Sequence, residues 1–136
     1  MQLKMNSMKM FFASLLFLFL VASCQKADDN GELGGFWKLM DIEYAASGDK
    51  VDCRENSYFM AVQLDLMQLR GNGSCYARFQ HRGDSLFIQM IGADAGEKLL
   101  ASMGMDGQEQ RFYVRKLTDK SLVLESLYSV LSFKKF

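Results

Sequence analysis

Few residues in this chain are of a kind that carries chemistry. His81 is the single histidine, so a nucleophile–histidine–acid relay would have to pass through it, and no Gly-x-Ser-x-Gly elbow accompanies it. Alternation along residues 74–82 sets His81 on the face of Cys75, Ala77 and Phe79, beside a turn. A strand-end histidine without catalytic duty is the simpler reading. Zinc needs several Cys or His ligands at short spacing, and one histidine with two scattered cysteines does not supply them. No metal and no cofactor is therefore expected. Asp41 and Glu43 stand two apart, hence on one strand face, and read as a solvated rim pair rather than an acid/base couple. Gly71-Asn72-Gly73 is a hairpin turn and not a phosphate cradle. The chain is expected not to be an enzyme.

The elements that would position these groups must fit in 136 residues, one domain at most. Proline is absent, 49% of residues are hydrophobic, and 16 basic residues balance 16 acidic ones. That balance gives no electrostatic reason to invoke nucleic acid. The first 23 residues hold Lys4, Lys9 and no acid, then an apolar run from Met10 to Val21. A run of about a dozen apolar residues is short of the ~20 that a spanning helix needs, and after a basic flank it has the form of a cleaved signal peptide. The rest of the chain then carries 14 basic against 16 acidic residues.

Val21-Ala22-Ser23-Cys24 resembles the lipobox of bacterial lipoproteins. The resemblance implies cleavage before Cys24, a diacylglyceryl group on its sulfur, and acylation of its amine. Two or three chains anchor stably where one is marginal. Gln25 to Gly31 is short, polar and turn-rich, a solvated tether. Its Lys26-Ala27-Asp28-Asp29 is similar to the export signal of surface lipoproteins in Bacteroidetes-type bacteria. The expected organisation is a lipoprotein signal peptide at 1–23, a lipidated cysteine and flexible tether at 24–33, and a folded domain at 34–136. The expected place is the outer membrane, lipid-anchored, on its cell-surface or periplasmic face.

From Gly34-Gly35 onward the hydrophobic period is two. Residues 36–44, 58–70, 74–82, 86–90, 111–117, 121–125 and 128–136 read as strands, six or seven in all, linked mainly by hairpins. The stretch 58–70 places Met60, Val62, Leu64 and Leu66 on one face. Residues 94–103 fit a short helix or a flexible loop. A lack of proline agrees with continuous ladders. On pattern alone an up-and-down barrel and a sandwich serve equally well.

Gly35-Phe36-Trp37 resembles the Gly-x-Trp of lipocalins. With Leu33-Gly34 before it, the turn Gly83 to Leu86, the run Ser121 to Leu124 and the closing Leu131 to Phe136, the chain is similar to small lipocalin-like domains of Bacteroidetes lipoproteins. The resemblance implies an all-β, antiparallel, lipocalin-like (calycin) up-and-down barrel with at most one short helix. It also implies that Trp37 packs at the closed end beneath a late basic residue, Lys134 or Lys135, with the ammonium over the indole.

Cys53 and Cys75 remain after Cys24 is set aside, and an exported protein meets an oxidising space, so the two form a candidate disulfide worth ~3 kcal/mol. The alternative is a buried Cys75 and a free loop thiol at Cys53. Trp37, Met60, Leu64, Phe79 and Met90 lie on inward faces and make a candidate pocket for a small hydrophobic ligand, methionine being adaptable in shape. Two functions compete. One is a lipid-anchored barrel that binds such a ligand; the other is a filled barrel that meets an envelope protein partner.

Overall fold

A computed structural model of the protein describes residues 30–92 and 96–136. The expected signal peptide, Cys24 and most of the tether lie outside the described residues, as do Asp94 and Ala95 of the expected helix. The last tether residues are inside, and they are not loose. Gly31–Leu33 forms one 3-10 turn and buries Leu33 completely, so the folded unit starts before residue 34.

Nine antiparallel strands follow: β1 (Gly35–Tyr44), β2 (Lys50–Asp52), β3 (Phe59–Gln63), β4 (Leu66–Arg70), β5 (Ser74–Arg82), β6 (Ser85–Met90), β7 (Glu109–Leu117), β8 (Ser121–Glu125) and β9 (Ser129–Lys135). Neighbours in sequence are neighbours in space from β3 to β9, and β1 pairs with both β3 and β9. The sheet is thereby closed into an eight-stranded up-and-down barrel, which decides against the sandwich. One edge of β1 meets β3 over Gly35–Lys38 and β2 over Asp41–Glu43. The three residues of β2 are all exposed, and this strand has no hydrophobic period to betray it.

The other departure from expectation is in residues 58–70. Gln63 pairs with Leu66, so Leu64 and Asp65 form a two-residue hairpin turn and the single expected strand is two. Leu64 takes φ +55°, a conformation that normally draws glycine or asparagine. The tight turn also reverses parity. Met60 and Val62 point inward on β3, Met67 and Leu69 do so on β4, and Leu66 faces out.

Inward residues of all eight barrel strands merge into one apolar core. A bulge between Leu39 and Asp41 of β1 resets its period, so that Trp37, Leu39 and Ile42 are all buried. The connection from β6 to β7 carries α1 (Glu97–Ser102). Leu99 and Leu100 of α1, followed by Met103 and Met105, are buried in the same core. Gly104 takes φ +76°, and a Cβ there would lie 2.7 Å from Ile42 Cγ2 and 2.8 Å from Leu131 Cδ2. Only glycine lets this segment lie so close over the barrel end. Ser129 donates its hydroxyl hydrogen bond to the Gly104 carbonyl and pins the segment there. Among the described residues no helix is long and apolar enough to cross a membrane.

Candidate functional site

The barrel interior is the place to look first, and its floor is built around Trp37. The indole Nε1 donates to the Leu33 carbonyl at 2.8 Å, within the 3-10 turn that precedes β1. Lys135 at the end of β9 reaches across, its Nζ 4.9 Å from the centre of the Trp37 rings and donating to the Glu32 carbonyl at 3.0 Å. Of the two lysines that sequence allowed, Lys135 takes this position. Gly35 makes room for it: φ is +127°, and a Cβ there would stand 2.9 Å from Lys135 Cε. The glycine and the tryptophan of the Gly-x-Trp motif thus serve one contact.

Four of the five expected pocket residues are brought together in the core. Trp37 is the cross-strand neighbour of Met60, Phe79 faces Ile88, and Ala77 faces Met90. Leu64 is the exception. It sits in the β3–β4 turn, 59% exposed, and lines nothing inside. Trp37 and Met60 have no accessible surface at all, and neither do Leu39, Met67, Leu69, Ile88, Met103, Leu122, Leu124 and Leu131. A void large enough for water beside any of these would give it accessible area, so the lumen around them is filled by side chains. An eight-stranded barrel is about the size that its own residues can fill.

The cysteines stay apart. Cys53 and Cys75 are free and buried, so the candidate disulfide is not formed. Cys53 leaves β2 beside β1, where its N–H donates to Met40, whereas Cys75 pairs with Leu69 between β4 and β5. Strands β1, β3 and β4 separate the two along the sheet. At ~4.8 Å per strand step that is far beyond the ~6 Å between Cα atoms that a disulfide spans. Burial pushes both thiols up from their ordinary pKa, and the Asp41 and Asp52 carboxylates push Cys53 further the same way. Neither is set up as a nucleophile.

His81 lies half-buried near the end of β5, opposite Leu86. Asp41 and Glu43 flank the buried Ile42 on the outer side of β1, opposite Asp52 and Lys50 of β2. The histidine and this carboxylate pair are on different strands, three strands apart along the sheet. Among the described residues no group of three or more His, Cys, Asp or Glu is arranged to hold a metal ion.

What sequence reasoning missed is on the outside. A groove of about 480 Å³ runs over β6, β7 and β8, lined by Phe87, Arg111, Tyr113, Glu125 and Leu127. The Arg111 guanidinium lies 5.0 Å from the Phe87 ring centre, and Leu127 is fully exposed at its end. Phe87, Arg111, Tyr113 and Glu125 are outward positions of their strands, and Leu127 lies in the β8–β9 turn. The one sequence signal for them was a leucine stranded in the polar turn Ser126–Ser129.

A family model described as a lipocalin-like domain matches residues 18–136. No curated protein sequence matches. Among solved structures, a lipocalin-like protein from Bacteroides uniformis is 23% identical with a TM-score of 0.64, the match covering 78% of this chain and 100% of that one. An uncharacterised protein from Bacteroides eggerthii is 22% identical with a TM-score of 0.55, covering 76% and 98%. At such identities the likeness is one of fold.

Proposed function

The chain belongs to the lipocalin-like domain family, and from that premise we propose that it is a lipid-anchored, non-catalytic envelope module that works through the outside of a filled barrel. The carrying observation is the complete burial of Trp37 and Met60, the residues that would face a ligand at the barrel floor. With the floor filled and the opposite end occupied by Leu99, Leu100, Met103 and Met105, the surfaces left to meet a partner are external. The groove of Phe87, Arg111, Tyr113 and Leu127 is the most developed of them. It offers aromatic and arginine side chains, the types that dominate interface energetics.

Anchoring is supported by the lipobox-like Val21-Ala22-Ser23-Cys24, six residues upstream of the first described residue. The same motif and the tether composition support attachment to the outer membrane. Changing Cys24→Ser is expected to move the protein from the membrane fraction to the soluble one; unchanged membrane association would count against the anchor.

The second reading is a small hydrophobic ligand held in the barrel, with which a lipocalin-like fold is compatible. It is favoured by the slight accessibility left at Phe79 and Met90, each 7% exposed. Trp37 is the only tryptophan, so its fluorescence reports the lumen directly. Titration with fatty acids, retinoids and haem should leave that emission unchanged if the barrel is filled. A saturable change with any of them would favour the ligand-binding reading instead.

A further inference from the structure

The end of the barrel from which the tether departs has an outer surface unlike the rest. Phe36 of β1, Phe59 of β3 and Phe136 after β9 form a cluster on the outward face, with ring centres 4.9 Å apart for Phe36–Phe59, 6.0 Å for Phe36–Phe136 and 5.8 Å for Phe59–Phe136. Phe136 is 81% exposed. Leu64 projects at the same end from the β3–β4 turn, whose carbonyl at Leu64 accepts a 2.8 Å hydrogen bond from Asn30 Nδ2. The start of the described chain is thus held against the exposed leucine.

Cations border the aromatic cluster in register. Lys38 is the cross-strand partner of both Lys134 and Phe59, and Phe59 is the partner of Arg70. One row across β9, β1, β3 and β4 therefore reads Lys134, Lys38, Phe59, Arg70. The outward residues of β3, β4 and β9 include no carboxylate. The acids of this end, Glu32, Asp65, Asp84 and Asp119, sit in turns. Further along β1 stand Asp41 and Glu43, opposite Asp52 and Lys50 of β2, with Arg54 paired to Asp52. A half-buried aromatic pair capped by the exposed Phe136 and bordered by Lys134, Lys38 and Arg70 has the composition of a surface that rests on an anionic bilayer interface.

The chain outside the described residues points the same way. Cys24 is six residues before Asn30, a reach of about 20 Å when fully extended. We infer that the face formed by Phe36, Phe59, Phe136, Leu64, Lys38, Lys134 and Arg70 seats the protein on an anionic lipid surface. This deepens the anchored reading and rests on it for its setting in the cell, while the affinity for lipid belongs to the barrel itself.

The test uses residues 25–136 without Cys24, a chain that contains every strand of the closed barrel and so folds without its lipid. Co-sedimentation with vesicles of phosphatidylethanolamine and phosphatidylglycerol is expected to exceed that with phosphatidylcholine alone, and to fall as salt is raised. The double variant Phe136→Ser, Leu64→Asn changes two exposed side chains, and a melting temperature equal to the parent's is the check that folding is intact. It is expected to bind about tenfold more weakly, and Lys134→Glu about threefold. Leu127→Ser, outside this face, is expected to bind as the parent does. Sedimentation no greater than in a lipid-free control, or equal binding by parent and double variant, would overturn the inference. So would a self-associating parent whose dimer the double variant abolishes, since a second copy would then cover the face. Mass spectrometry of Cys24 in the full chain is read separately: a bare Cys24 sinks the anchor and leaves the vesicle result standing.

Discussion

The two ends of the barrel are closed by different means. At the tether end a single large side chain does the sealing: Trp37 is held by the Leu33 carbonyl at 2.8 Å, with Lys135 across its face at 4.9 Å. At the other end a six-residue helix and the two methionines after it lie across the opening. The first closure is directional, built from a hydrogen bond and a ring–cation contact. The second is apolar packing with flexible side chains. A directional seal has one solution, whereas leucine and methionine can repack around a change. The expected sensitivity of the two ends differs accordingly.

The hardest test of that contrast is Trp37→Ala, which should cost about 3–5 kcal/mol in urea denaturation. Leu100→Ala at the helix end should cost less, about 2–4 kcal/mol, because Met103 and Met105 can close on the vacated space. If Leu100→Ala proves the costlier of the two, the contrast is wrong. Lys135→Met keeps the stem over the indole and removes the charge, and should lower stability by about 1 kcal/mol in the same assay. No measurable loss would leave the ring–cation contact without energetic weight.

Smaller effects mark regions outside both seals. Arg54 hydrogen bonds hold the exposed Asp52 carboxyl well below its ordinary value, at about 2. Because the folded value is depressed, the pair's contribution is present above about pH 4 and fades as pH falls towards 2. Carboxyl titration by NMR should give a midpoint near 2 for Asp52, returning towards the ordinary range in Arg54→Ala. The smallest expected effect is none: a reductant should not change the melting temperature of residues 25–136, and unfolded protein should titrate two thiols, Cys53 and Cys75. A reductant-dependent melt would restore the disulfide.

The directional end was also the legible one. Gly35 and Trp37 sit in a motif whose purpose is local, and alternation in β1, β5 and β6 turned the correct residues inward. Other features had no such signal. The β3–β4 hairpin was hidden because Leu64 occupies a left-handed position that sequence patterns assign to glycine or asparagine. Reading through it put Leu64 and Leu66 on the wrong face. Strand β2 is exposed along its length and is ordered by pairing with β1 alone. Cys53 and Cys75 looked like partners because residue counts say nothing of which strands intervene. The outer groove and the aromatic face were unreadable for a related reason. Both gather outward residues from several strands, and only the register of the closed barrel brings them together.

The central claim is that this barrel is filled by its own side chains and meets its partners from outside. Native mass spectrometry of residues 25–136 as purified, and again after incubation with a panel of lipids and other apolar small molecules, tests it most directly. A mass equal to the bare chain in both states is the predicted result. A co-purified small molecule whose binding is lost when Met60 is enlarged to tryptophan would contradict it and restore the interior as the working site.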